Sequence, residues 1–176
     1  MSSHKNGVRN IKLTMGLWAL ILMLVGCASA PTVHGIPNFA MVSPGIYRGG
    51  QPNEEGFSYL QSLGVDRVIK LNEESEGSDD AAWSHGMVVD YEPVSFAQQI
   101  GLKPMPANFV LGFNLGVGRT FIHCEHGQDR TGLFVAMMRM RWQGWTKADS
   151  EKEMLEHGFH KVLHGLWKAW EEFNCE

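Results

Sequence analysis

An α/β fold, with a mostly parallel central sheet flanked by helices and a helical C-terminus, is what this chain predicts, and three observations predict it. Short apolar runs alternate with amphipathic stretches through the first part of the domain. One run, "RTFIHC" at 119–124, carries no charge after its first residue, as a strand covered on both faces would. From Thr131 onward the pattern becomes helical and stays so, which places helices against a finished sheet.

The elements follow in order. "GIYRGG" (45–50) reads as a short strand and turn. "QPNEEGFSYLQSLG" (51–64) reads as a helix: Asn53 caps it, Glu54 and Glu55 suit its first turn, and Gly64 closes it. Phe57, Leu60 and Leu63 form its apolar stripe. "DRVIKLN" (66–72) is a strand, followed by an acidic loop, "EESEGSDD" (73–80), expected to be solvated. "GMVVDYEPV" (86–94) is a further strand, "SFAQQIGLKPMP" (95–106) a loop, and "ANFVLGFNLG" (107–116) a candidate helix. After the 119–124 strand come three helical stretches, 131–144, 146–158 and 160–173. There are no internal repeats.

The N-terminus reads as a leader rather than as part of the fold. Residues 1–12 are basic, 13–26 are apolar and too short for a comfortable membrane span, and "LVGC" (Leu24–Cys27) resembles the lipobox of bacterial lipoproteins. The resemblance implies cleavage before Cys27 and acylation of its thiol. Ala28, a residue other than Asp after that cysteine, implies sorting to the outer membrane, facing the periplasm. The expected organisation is therefore a leader over 1–26, a tether over 27–43 and one domain over 44–176.

Composition narrows the function. The chain has 176 residues, 44% of them hydrophobic, enough for a core. All 19 acidic side chains lie beyond residue 26, so the body is acidic, which argues against nucleic acid as a partner. Three cysteines, Cys27, Cys124 and Cys175, are too few for a disulfide framework.

The chemistry concentrates in "HCEHGQDRTG", residues 123–132. A strand ends in Cys124, a short loop containing Gly127 follows, and a helix starts at about Arg130. Such a loop turns successive backbone N–H groups inward, and the helix N-terminus adds its own donors and positive dipole end. Arg130 presents a planar fork suited to two phosphate oxygens. The same positive field favours the nucleophilic thiolate, and Thr131 can donate a hydrogen bond to the sulfur as a leaving group. The arrangement suits attack of sulfur on the phosphorus of a monoester, giving a cysteinyl-phosphate.

These residues closely resemble the His-Cys-x5-Arg-Thr-Gly signature of the protein tyrosine phosphatase superfamily. "GIYRGGQPNEEGFSYLQSLGVDRVIKLNEE" upstream and "GWTKADSEKEMLEHGF" downstream resemble its atypical dual-specificity branch. The resemblance covers about 44–165. It implies the Cys-dependent phosphatase fold, a covalent intermediate, and neither metal nor cofactor. By position it makes Cys124 the nucleophile, Arg130 the phosphate ligand, Thr131 an aid to the second step and His123 a buttress. Glu125, His126, Gly127 and Gln128 then line the substrate pocket. Related loops that handle inositol phosphates tend to be more basic than this one.

The general acid is where the sequence departs from most relatives, since no Asp or Glu lies between Glu92 and Cys124. Three candidates remain: Asp129 inside the loop, as in the myotubularins, then Asp90, then Glu92. Arg48, with Tyr47 and Gln51 in the resembling segment, either pairs with the acidic strand or the pocket wall or serves structure. His157, His160 and His164 share a helical face if their helix is continuous, but Gly158 interrupts it, and no metal is expected. Cys175 can reach Cys124 only through an oxidising partnership, and an exposed free thiol is the plainer expectation. The function expected is hydrolysis of phosphorylated protein side chains. Hydrolysis of an inositol phosphate or other small phosphoester is the first alternative, and a phosphate-binding module without turnover the second.

Overall fold

The structure is a computed structural model that describes residues 31–106, 109–110, 112–113, 115 and 118–174. The leader and its Cys27, together with Cys175, lie outside the described residues, as does much of the candidate helix at 107–116. There, Phe109, Val110, Gly112, Phe113 and Leu115 sit in turns and loop.

A hairpin opens the chain: β1 (Thr32–Val33) pairs with β2 (Ile36–Pro37), joined by His34 and Gly35, both at positive φ, as a two-residue turn requires. The main sheet takes β3 (Ala40–Ser43), β4 (Ile46–Gly49), β5 (Arg67–Lys70), β6 (Val88–Tyr91) and β7 (Thr120–His123) in the order β3-β4-β7-β5-β6. Only the edge pair β3–β4 is antiparallel. Gly49, His123, Lys70 and Tyr91 stand in register across the carboxyl ends of the four parallel strands. Ligands in parallel α/β sheets gather at that edge.

Helices cover both faces. Against one face, α1 (Glu54–Ser62) and α2 (Asp80–Ser84) pack Phe57, Leu60 and Ala82 over Tyr47, Val68 and Phe121. Against the other lie α4 (Asp129–Gln143), α5 (Lys147–Glu156) and α6 (His164–Glu172), which bring Leu133, Phe134, Met154, Leu166 and Trp170 over Ile69, Leu71 and Ile122. α4 is buried continuously from Arg130 to Arg139, so it is the central helix of its layer. The expected α/β sandwich is thus the observed one.

Three expectations change. The tether to residue 43 is in fact folded from about residue 31: Ile36 is fully buried, fitted against Gly49 and Gly56, where a Cβ would lie 2.6 and 2.9 Å from its side chain. The loop at 95–106 contains a short helix, α3 (Phe96–Gln99), held by a capping box between Ser95 and Gln98. The last helix starts at His164 rather than 160, because α5 ends at the positive-φ Gly158 and His160–Leu163 turn back towards α4.

Candidate active site

β7 carries the chain into the site. His123 is its last residue, Cys124 follows at 2% exposure, and α4 begins at Asp129. Gly127 (φ 73°) lets the intervening loop press on the β4 end, since a Cβ there would lie 2.4 Å from the Gly49 carbonyl carbon. The Glu125 carbonyl accepts from the Gln51 amide (2.9 Å). The Gly127 carbonyl accepts from both Asn38 Nδ2 (3.0 Å) and Arg48 Nη2 (2.9 Å). Carbonyls tied outward in this way leave the loop's amides to the inside.

Two arginines surround the thiol. Arg48 is fully buried beneath the loop; burial pulls its pKa down to about 10, a shift opposed by the charges of Glu153 and Cys124. Its Nε and Nη1 have no acceptor among the described residues. Arg130, 4% exposed, holds its proton more tightly than usual: burial works against it, but its hydrogen bond to Glu76 and the charges of Cys124, Glu76 and Glu125 prevail. Glu76 takes the end of the Arg130 guanidinium in a two-pronged contact, at 2.5 Å from Nη1 and 3.0 Å from Nη2, while Arg130 Nε is buried without an acceptor among the described residues.

The acidic loop is therefore not a solvated spacer. It supplies two carboxylates to the site because a buried arginine needs a counter-charge and a buried histidine ring N–H needs an acceptor. Burial raises Glu76, but the Arg130 hydrogen bond, the Glu73 amide and the Arg130 charge bring it below the usual carboxylate range. Asp79, 4% exposed, accepts from His123 Nε2 at 2.8 Å and stands 3.7 Å from the fully buried Lys70. Burial raises it too, and His123, Gln51 and Lys70 together hold it low. Gln51 joins the pieces: its backbone amide donates to the Glu125 carbonyl, its Nε2 donates to Asp79 (2.6 Å), and its Oε1 accepts from Asn72 (2.9 Å).

The other expected site residues are distributed as follows. Thr131 is buried, with its hydroxyl donating to the Gly49 carbonyl at 3.4 Å. Glu125 lies on the rim, 3.8 Å from Arg130 Nη2, and the exposed His126 lies 3.5 Å from Glu125. Gln128 precedes α4 and packs on Gly158. Asp129 accepts from the His160 amide (2.7 Å) and meets the His160 ring at 3.1 Å. Asp90 pairs with Arg67, and with Glu92 it lines a cleft of about 310 Å³ that also holds Val94, whose carbonyl faces Arg130 Nη1 at 3.4 Å. His157 caps α5, His160 sits in the turn and His164 starts α6, so the three share no helix; no metal-binding cluster of His, Cys, Asp and Glu occurs among the described residues.

Residues 35–162 match the model of a tyrosine phosphatase family. The chain belongs to this family. Among curated members, the dual specificity protein phosphatase TpbA of Pseudomonas aeruginosa is 32% identical over 145 residues, which cover 75% of this chain and 60% of TpbA. Inositol diphosphatase DSP3 of Arabidopsis thaliana is 30% identical over 122 residues, covering 61% of this chain and 56% of that protein. The chain thus spans less than two thirds of the length of these relatives. The crystal structure of P. aeruginosa TpbA superposes with a TM-score of 0.62 at 27% identity, over 84% of this chain and 91% of that one. A variant of TpbA is also solved in complex with phosphotyrosine, at a TM-score of 0.59 and 26% identity, over 86% and 93%. The core catalytic domain of the S. cerevisiae PP-IP phosphatase SIW14 shares the fold, with a TM-score of 0.63 at 22% identity, over 81% and 89%. Glu76, Asp79, Asn38, Lys70 and Asn72 are residues of this site that sequence reasoning passed over.

Proposed function

We propose that the protein is a Cys-dependent phosphatase of phosphorylated protein side chains, acting through a cysteinyl-phosphate. The observation that carries it is the pairing of buried Cys124 with Arg130, whose Nε is buried without an acceptor among the described residues: a phosphate oxygen is the acceptor it lacks. The thiolate attacks phosphorus, the ester P–O bond breaks, and the leaving oxygen takes a proton. Arg130, the loop amides and the α4 N-terminus stabilise the charge on the equatorial oxygens. Water then attacks the cysteinyl-phosphate, the S–P bond breaks and the thiolate returns, with Thr131 turning from Gly49 to donate to the departing sulfur. Asp129, beside Arg130, is the proposed source of the leaving-group proton.

Support for a protein substrate comes from the TpbA relative and its phosphotyrosine complex. The basic leader ending in "LVGC" supports acylation at Cys27 and an outer-membrane location facing the periplasm. Cys124→Ser tests the reaction: aryl phosphate hydrolysis is expected to fall to background while phosphate binding persists. Undiminished turnover in that variant would refute the mechanism.

A further inference from the structure

We infer that the mouth of this site selects a single phosphate monoester on a neutral or cationic scaffold, such as a phosphorylated side chain flanked by Lys or Arg, and turns away clustered phosphates. The inference rests on the phosphatase reading above and names the substrate class within it.

Two carboxylates crowd one arginine. Glu76 holds the end of the Arg130 guanidinium and Glu125 stands 3.8 Å from Nη2. Their side chains are 24% and 40% exposed, so both face the space a substrate crosses. Nearby basic side chains either lie buried or already face a carboxylate. Lys70 is fully buried between Glu74 (3.2 Å) and Asp79 (3.7 Å). Arg48 is fully buried under the loop. His126, exposed on the loop, has its Nδ1 3.5 Å from Glu125.

One phosphate seated in the loop meets Arg130, the amides and the helix end at contact distance, which outweighs two carboxylates farther out. A second phosphate on the same scaffold lies beyond the reach of those donors and beside the carboxylates, where like charge repels it. A lysine or arginine flanking the phosphorylated residue finds the same carboxylates attractive. Glu125 is thus a specificity-determining residue of this site.

The test uses the full chain in detergent at low ionic strength. Its substrates are p-nitrophenyl phosphate as reference, a phosphotyrosyl peptide with Lys on both sides, the same peptide with Glu on both sides, and inositol hexakisphosphate. The Lys-flanked peptide is expected to exceed the Glu-flanked one in kcat/KM by about fivefold, with inositol hexakisphosphate slowest. The ratio is expected to shrink towards one in about 0.5 M salt, to flatten in Glu125→Gln and to invert in Glu125→Lys. Equal rates for the two peptides, or faster turnover of the inositol polyphosphate, overturn the inference while leaving the phosphatase reading intact. No hydrolysis of the reference substrate removes that reading and the inference with it.

Discussion

Asp79 shows how much of this site is held by groups that touch no substrate. It binds His123, the residue before Cys124, and shares the buried Lys70 and the half-buried Gln51. Asp79→Asn keeps the shape and removes the charge, and is expected to cost about 3 kcal/mol, read from urea unfolding at neutral pH. The pH dependence has a definite sign. Asp79 and Glu76 are both held below the usual carboxylate range in the folded state, so their contribution is present above their unfolded values of about 4 and lost as pH falls from there. The gap between wild type and Asp79→Asn is therefore expected to close on acidification below about pH 4; a constant gap would show that the charge is not what matters. Asp129 is a different case, because its carboxylate is occupied by His160. If it supplies the proton, Asp129→Asn slows a series of aryl phosphates more as the leaving group becomes more basic, and one uniform loss across the series assigns it to holding the α5–α6 turn instead.

At the scale of elements, the parts read correctly from sequence are those whose causes are local. The strand into Cys124 and the helix after it follow from an apolar run, a glycine and a helical period within some twenty residues. The acidic loop was illegible because its meaning lies 44 and 54 residues away, at His123 and Arg130. A run of carboxylates looks the same on paper whether it faces water or a buried cation. The helix at Phe96–Gln99 had a local sign, Ser95 three residues before Gln98, hidden by the polar composition around it. That helix packs on α6 so closely that a Cβ at Gly165 would lie 1.8 Å from the Gln98 carbonyl oxygen. Gly165→Ala is expected to destabilise the fold by about 1–3 kcal/mol and to raise KM, because α3 follows Val94, whose carbonyl meets Arg130. Calorimetry with steady-state kinetics checks both; unchanged stability would mean that α3 shifts without cost.

For the whole molecule, sequence gave the layers of the sandwich but placed the start of the domain too late. Residues 31–43 hold Pro, Gly and short strands, the composition of a linker, and their membership of the fold depends on where Ile36 lands, which is a tertiary matter. The proposed anchor is tested at this scale: Cys27→Ala is expected to move the protein from the membrane fraction to the soluble one, and a wild-type chain that is already soluble would rule acylation out.

Asn38, which holds the Gly127 carbonyl, stands eleven residues after Cys27. Residues 31–38 are folded back on themselves, the Asn38 amide donating to the Pro31 carbonyl (2.9 Å), so only the stretch from Cys27 to Pro31 can draw straight, to about 14 Å. On an acylated chain the loop after Cys124 would then be leashed close to the surface of the bilayer it hangs from. A substrate would have to come to that surface, and any load carried by the leash would arrive at the hairpin beside Asn38, which braces the Gly127 carbonyl.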